Sequence, residues 1–111
     1  MAGLYTTETI TRPEVDSLDG ITVLDFGTNW CGHCRAAQPY VERALASYPQ
    51  IRHIKIEDGQ GRRLGRSYRV KLWPTLIVVR MGEEVARVVR PTDAEAVQAA
   101  IDLALGQPDQ G

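Results

Sequence analysis

Long apolar runs, an excess of charge of one sign, and cysteine beyond a single pair are all missing from this chain. No segment approaches the ~20 apolar residues that cross a membrane as a helix. Residues 1–20 have neither the basic start nor the apolar core of a signal peptide. Thirteen Lys and Arg stand against 14 Asp and Glu, and the net charge of −1 argues against a nucleic-acid footprint. No repeat, linker or low-complexity stretch divides the 111 residues, so residues 1–111 are expected to form a single domain. A chain of this size buries about two-thirds of the surface its unfolded form exposes and can stand without staples. With 43% hydrophobic and 24% charged residues it has the composition of an ordinary globular protein. The expected address is the cytoplasm, where disulfides are mostly transient and catalytic, and the expected state is a monomer.

Against that background the two cysteines stand out. Both lie in Trp30-Cys31-Gly32-His33-Cys34. Their spacing lets a disulfide close within one turn of backbone and reopen without moving the fold, so the pair reads as a redox device rather than a staple. Residues 21–26, Ile-Thr-Val-Leu-Asp-Phe, read as a buried strand just before it. Residues 35–48 read as a helix just after it, with Ala37, Val41, Leu45 and Tyr48 as an apolar stripe and Pro39 expected to kink it. A cysteine at a helix N-terminus meets unpaired N–H groups and the positive end of the helix dipole. Both favour the thiolate, which is the nucleophile.

The rest of the chain falls into further elements. Residues 4–9 read as a first, edge strand. Thr11, Pro13 and Glu14 open a short helix through a capping box. Residues 51–57 alternate, with Ile54 and Ile56 on one face and His53 and Lys55 on the other, as a second main strand. Residues 62–68 read as a short helix weakened by Gly65. A break at Trp73-Pro74-Thr75 precedes strand 76–80, a turn at residues 81–84 and a hairpin partner at 85–89. Thr92 and Glu95 suggest a second capping box before a final helix that Gly106 stops, with residues 107–111 fraying. The order β-α-β-α-β-α-β-β-α predicts an α/β fold: a central mixed sheet flanked by helices on both faces.

Taken together, Asp25-Phe26, Trp30-Cys31-Gly32-His33-Cys34, Pro39 and Trp73-Pro74-Thr75 resemble the thioredoxin family along nearly the whole chain. The tetrapeptide Cys31-Gly32-His33-Cys34 is similar to that of protein disulfide isomerase domains. The resemblance implies the thioredoxin fold and thiol–disulfide exchange on protein disulfides. It implies that Cys31 is the exposed attacking thiolate and Cys34 the shielded resolving thiol. Asp25 would sit beneath Cys34 as proton acceptor, and Pro74 would be cis, next to the pair and the substrate peptide. It also implies a reductase or thiol electron donor as partner, and no cofactor or metal beyond the redox-active disulfide itself. Departures from the family pattern occur at Gly27, where a tryptophan is usual, and at His53, where a lysine is usual. Leu72-Trp73 replaces the usual Gly-Ile or Gly-Val, Arg90 replaces a rim glycine, and the segment between Glu57 and Trp73 is slightly longer.

Several residues admit two readings. His33, when charged and close to Cys31, stabilises the thiolate and makes the disulfide more oxidising; otherwise it is a solvated histidine. The span between a thioredoxin and a disulfide isomerase is about 90 mV, or roughly 4 kcal/mol for two electrons. Asp25 is either a buried proton acceptor or a strand-end aspartate reaching water. His53 either joins it or lies on the surface beside Arg52 and Lys55. Trp30, Gly32, Trp73, Pro74 and Arg90 are candidate substrate contacts, although aromatics are equally common in cores. Arg62, Arg63, Arg66, Arg69 and Lys71 form either a solvated face or, with Arg35 and Arg90, a surface for an acidic partner. The leading reading is a protein-disulfide oxidoreductase. The cytoplasmic address points to a reductase, and the Gly-His dipeptide to an oxidant or isomerase. The alternatives are an interaction module with secondary thiols and a metal-binding module using Cys31, His33 and Cys34, for which one cysteine pair is too few.

Overall fold

A computed structural model describes residues 4–7 and 10–106. The elements run α1 (Arg12–Asp16), β1 (Ile21–Gly27), α2 (Gly32–Leu45), β2 (Arg52–Glu57), α3 (Arg63–Ser67), β3 (Thr75–Arg80), β4 (Glu83–Val89) and α4 (Ala94–Leu105). The four strands make one mixed sheet in the order β2-β1-β3-β4. β1 pairs parallel with β2 and antiparallel with β3, and β3 pairs antiparallel with β4.

β1 is central, and its near-continuous apolar sequence follows from burial on both faces. Val23 joins Leu76 and Val78 in one core with Val41 of α2 and Val97 and Ile101 of α4. Leu24 and Phe26 point the other way, joining Ile77 and Val79 in a second core with Val15 of α1 and Leu64 of α3. The period-2 pleat then puts Asp25 and Gly27 on Val23's face, under α2. β2 shows the expected split: Ile54 and Ile56 face the α1/α3 side, while His53 reaches Asp25.

Local signals account for most helix boundaries. Thr11 and Glu14 form the reciprocal capping box of α1. α2 begins earlier than the apolar stripe suggests, because Cys31 itself is the N-cap and the helix continues through Pro39 to Leu45. The second capping box does not form: Asp93, not Thr92, is the N-cap of α4, and its side chain accepts from the Ala96 N–H at 2.9 Å. The expected edge strand at residues 4–9 is another difference. Its described part makes one isolated parallel bridge, Thr6 to Ile56, and residues 8–9 lie outside the described residues. The expected fraying of 107–111 also falls outside them. Among the described residues no helix is long and apolar enough to cross a membrane.

Ile77 is fully buried against the α1/α3 layer. Ile77→Ala is expected to lower unfolding stability by about 2–5 kcal/mol. Urea denaturation should show this as a lower midpoint with unchanged slope.

Candidate active site

The two thiols sit where β1 ends and α2 begins, and both are free. The Cys31 backbone is extended, so its side chain folds back as the helix cap, and Sγ accepts the Cys34 N–H at 3.3 Å. Cys31 is 8% exposed and Cys34 2%. The first thiol is therefore less open than expected: Tyr5 and Trp73 pack against the pair and cover most of it. Burial, then the hydrogen bond with Cys31, pushes the Cys34 thiol up to about 12, against the opposing pull of bonds from the Thr28 backbone and the Tyr5 hydroxyl.

Asp25 is 3% exposed, and both its carboxylate oxygens have partners. Tyr5 Oη donates to Oδ1 at 2.6 Å, and His53 Nε2 lies 2.9 Å from Oδ2. His53 thus joins Asp25 rather than lying on the surface with Arg52. The Tyr5 hydroxyl, bonded to the Asp25 carboxylate, lies near the Cys34 sulfur in the same cluster over Gly27. Gly27 makes room for it. A methyl group there would lie 2.5 Å from Cys34 Sγ and 2.9 Å from Tyr5 Oη.

Tyr5 is a site residue that the sequence reading missed, because residues 4–9 looked like a strand edge. It is held by loop contacts instead. Its N–H donates to Asn29 Oδ1 at 2.8 Å, Asn29 Nδ2 donates back to its carbonyl at 3.0 Å, and the Glu57 N–H donates to the Thr6 carbonyl at 2.6 Å. The one available signal was Gly27 itself, a glycine inside a buried strand, which marks close approach by another group.

On the other side, the Trp73–Pro74 bond is cis. Trp73 meets exposed Trp30 edge to face, with ring centroids 5.7 Å apart. Its indole N–H donates to Asp58 Oδ2 at 2.9 Å, and its carbonyl accepts from Arg90 Nε at 2.8 Å. Arg90 takes a left-handed backbone, φ 51°, which is uncommon for a residue with a side chain. Asp58 is the second missed residue, read only as part of a loop. It lies against α3 at Gly65, where a methyl group would fall 2.1 Å from Asp58 Oδ1. Gly65 therefore weakens a short helix and in return admits the carboxylate that holds Trp73.

His33 and Gly32 are exposed on the first turn of α2. Of the basic residues, Arg62, Arg66, Arg69 and Lys71 line an open cleft of about 390 Å³ that reaches Asp58. Arg62 pairs there with Glu57 at 2.9 Å. Arg35 does not join them; it lines a separate cleft with Tyr5 and Lys55. Among the described residues no three His, Cys, Asp or Glu side chains are grouped so as to hold a metal ion.

Two thiols of unequal burial, three residues apart at a helix start, can exchange a disulfide with a partner and close it between themselves. The fold and site together define a thiol–disulfide oxidoreductase. A family model described as Thioredoxin matches residues 4–103. The solved structure of thioredoxin 2 from Pseudomonas aeruginosa PAO1 in its reduced form superposes with TM-score 0.84 at 51% identity, over 96% of this chain and 98% of that one. Thioredoxin-1 of Saccharomyces cerevisiae is 34% identical over 92 residues, 80% of this chain and 89% of its own. A Thioredoxin H-type protein of Fagopyrum esculentum is 30% identical over 69 residues, 62% of this chain, which spans 60% of that protein's length. The chain belongs to the thioredoxin family.

Two outcomes follow from the geometry. Because the buried Cys34 thiol titrates near 12 in the folded protein and at about 8.5 when unfolded, the folded state keeps a proton that the unfolded state releases. That stabilisation is present below about pH 8.5 and is lost as pH rises toward 12. Urea midpoints measured on reduced protein from about pH 8 to 10 should fall more steeply for the wild type than for Cys34→Ser. Separately, Gly65→Ala should displace Asp58 and leave the Trp73 indole N–H unpaired. A loss of about 1–3 kcal/mol and red-shifted tryptophan emission are expected.

Proposed function

We propose that this protein reduces disulfides in partner proteins, with Cys31 as the attacking thiolate and Cys34 as the resolving thiol. Cys31 attacks one sulfur of the partner's disulfide and a mixed disulfide forms, releasing the partner's other sulfur as a thiolate. Cys34 then loses its proton and attacks Cys31, the mixed disulfide breaks, and the partner leaves with both sulfurs reduced. The observation that carries this reading is the asymmetry of the pair. Cys31 is the more accessible of the two and caps the start of α2, its Sγ receiving the Cys34 N–H. Cys34 is the more deeply buried and is pushed up to about 12.

Asp25 takes the role of proton acceptor, supported by its burial and its two partners. Trp30, Gly32, Trp73, Pro74 and Arg90 form the contact surface for substrate, supported by the exposed Trp30 edge and by the bonds that hold Trp73 in place. His33 sits in solvent on the first turn of α2 and contributes a partial oxidising shift. The basic cleft beside Asp58 gives acidic segments of a substrate a counter-surface. The working form is a single-domain cytoplasmic monomer that needs no cofactor beyond its own disulfide. A reductase or a small thiol returns the pair to its reduced state.

Alkylation of the reduced protein at neutral pH, read by mass spectrometry, tests the roles. One adduct on Cys31, none on Cys34, and loss of insulin-disulfide reduction are expected; an unmodified protein overturns the reading. Equilibration with glutathione tests the direction. A potential near thioredoxin's, about −270 mV, supports reduction, and one near about −180 mV assigns the protein to oxidation or isomerisation instead.

A further inference from the structure

For Cys34 to attack, its proton must leave a buried sulfur within the lifetime of the mixed disulfide. Asp25 is a buried base on the same side of the site, and its carboxylate oxygens are occupied by Tyr5 and His53. The Tyr5 ring lies over Gly27, where the absence of a side chain lets Cys34 Sγ and Tyr5 Oη converge on the same small volume. Tyr5 is 7% exposed, so water does not easily replace its hydroxyl there.

We propose that the Tyr5 hydroxyl, seated over Gly27 between Cys34 and Asp25, carries the Cys34 proton to the Asp25 carboxylate during the resolving step. The proposal rests on the exchange reaction above and adds a residue that touches a reacting atom. The Cys34 proton passes to Tyr5 Oη as the Tyr5 proton passes to Asp25 Oδ1. The freed electron pair on Cys34 sulfur forms the bond to Cys31 Sγ, and the bond from Cys31 to the partner's sulfur breaks. The partner leaves as a thiolate, so its disulfide gains the two electrons that the Cys31–Cys34 pair gives up. Once the disulfide has closed, the Tyr5 O–H carries the proton that came from Cys34, and Asp25 holds the one that came from Tyr5.

Tyr5 stays a protonated hydroxyl between turnovers, so it passes a proton on only while it takes one up. Burial first, and then the Asp25 charge, hold its hydroxyl well above the usual phenol range. The charged and titratable groups around Tyr5 are Cys31, Cys34 and Arg35 from the start of α2, Asp25 from β1, and His53 and Lys55 from β2. Lys55 Nζ lies 4.5 Å over the Tyr5 ring, and the His53 side chain is 21% exposed. His53 therefore gives the proton on Asp25 a path onward to solvent.

The test uses reduced full-length protein and Ellman's disulfide in a rapid-mixing experiment. The first thionitrobenzoate released reports attack by Cys31, and the second reports resolution by Cys34. In Tyr5→Phe, which keeps the ring, the first release is expected to stay within about twofold of wild type. The second should slow by about 10²-fold, the range of a lost proton-transfer group. Asp25→Asn should slow the second release as well, and Tyr5→Phe combined with Asp25→Asn should be no slower than Asp25→Asn alone. A second release in Tyr5→Phe within twofold of wild type overturns the relay, as does a multiplicative double variant. The unaltered protein supplies an independent measurement should Tyr5→Phe not fold. Its second-release rate should vary with deuterium fraction along a curve for two protons in flight, and a straight line for one proton counts against Tyr5. If the wild type releases no second thionitrobenzoate, the exchange reading itself fails.

Discussion

A carboxylate in the middle of a sheet is the constraint around which the rest of this site is arranged. Asp25 lies on the central strand with α2 above it and is almost sealed from water. An ionised carboxylate in such a place costs several kcal/mol unless donors reach it. Two do, and hydrogen bonds to charged groups are worth about 1.5–3 kcal/mol each. Neither donor comes from β1 or α2. Tyr5 arrives from the segment before α1, and His53 from the neighbouring parallel strand. Charge burial therefore ties the start of the chain and the sheet edge to the thiols.

The opposite wall of the site follows similar logic with different parts. Trp73 needs a partner for its indole N–H, and Asp58 is the acceptor. Asp58 can approach only because α3 carries glycine at position 65. Arg90 then holds the Trp73 carbonyl from β4's end. Each wall thus combines one aromatic ring, one nearly buried carboxylate and one glycine that makes room: Tyr5, Asp25 and Gly27 on one side, Trp73, Asp58 and Gly65 on the other. The thiols lie between, with Trp30 exposed at the rim. Gly27, His53, Trp73 and Arg90 all belong to these walls.

Much of this was legible in advance, and the reasons are local. The strand through Asp25, the split faces of β2, the capping box at Thr11 and the turn before β4 all depend on period, capping and turn chemistry within a few residues. The thiol pair was legible for the same reason, since Cys31 and Cys34 share one turn of helix. Residues 4–9 were misread because a threonine-rich run has the propensity of a strand, while its described part makes a single bridge to Ile56. What holds Tyr5 is a pair of bonds with Asn29, 24 positions away. Thr92 was likewise displaced as a cap by Asp93, one residue on.

The sequence by itself determined the strand–helix order, the redox pair and its place at a helix start, because these are written in neighbouring residues. Tertiary structure alone decided which donors Asp25 found, how deeply Cys31 was covered, and that a tyrosine hydroxyl came to rest against Cys34. Those outcomes depend on groups far apart in the chain competing for the same few cubic ångströms. Packing and desolvation settle that competition only once the sheet and its helices have closed.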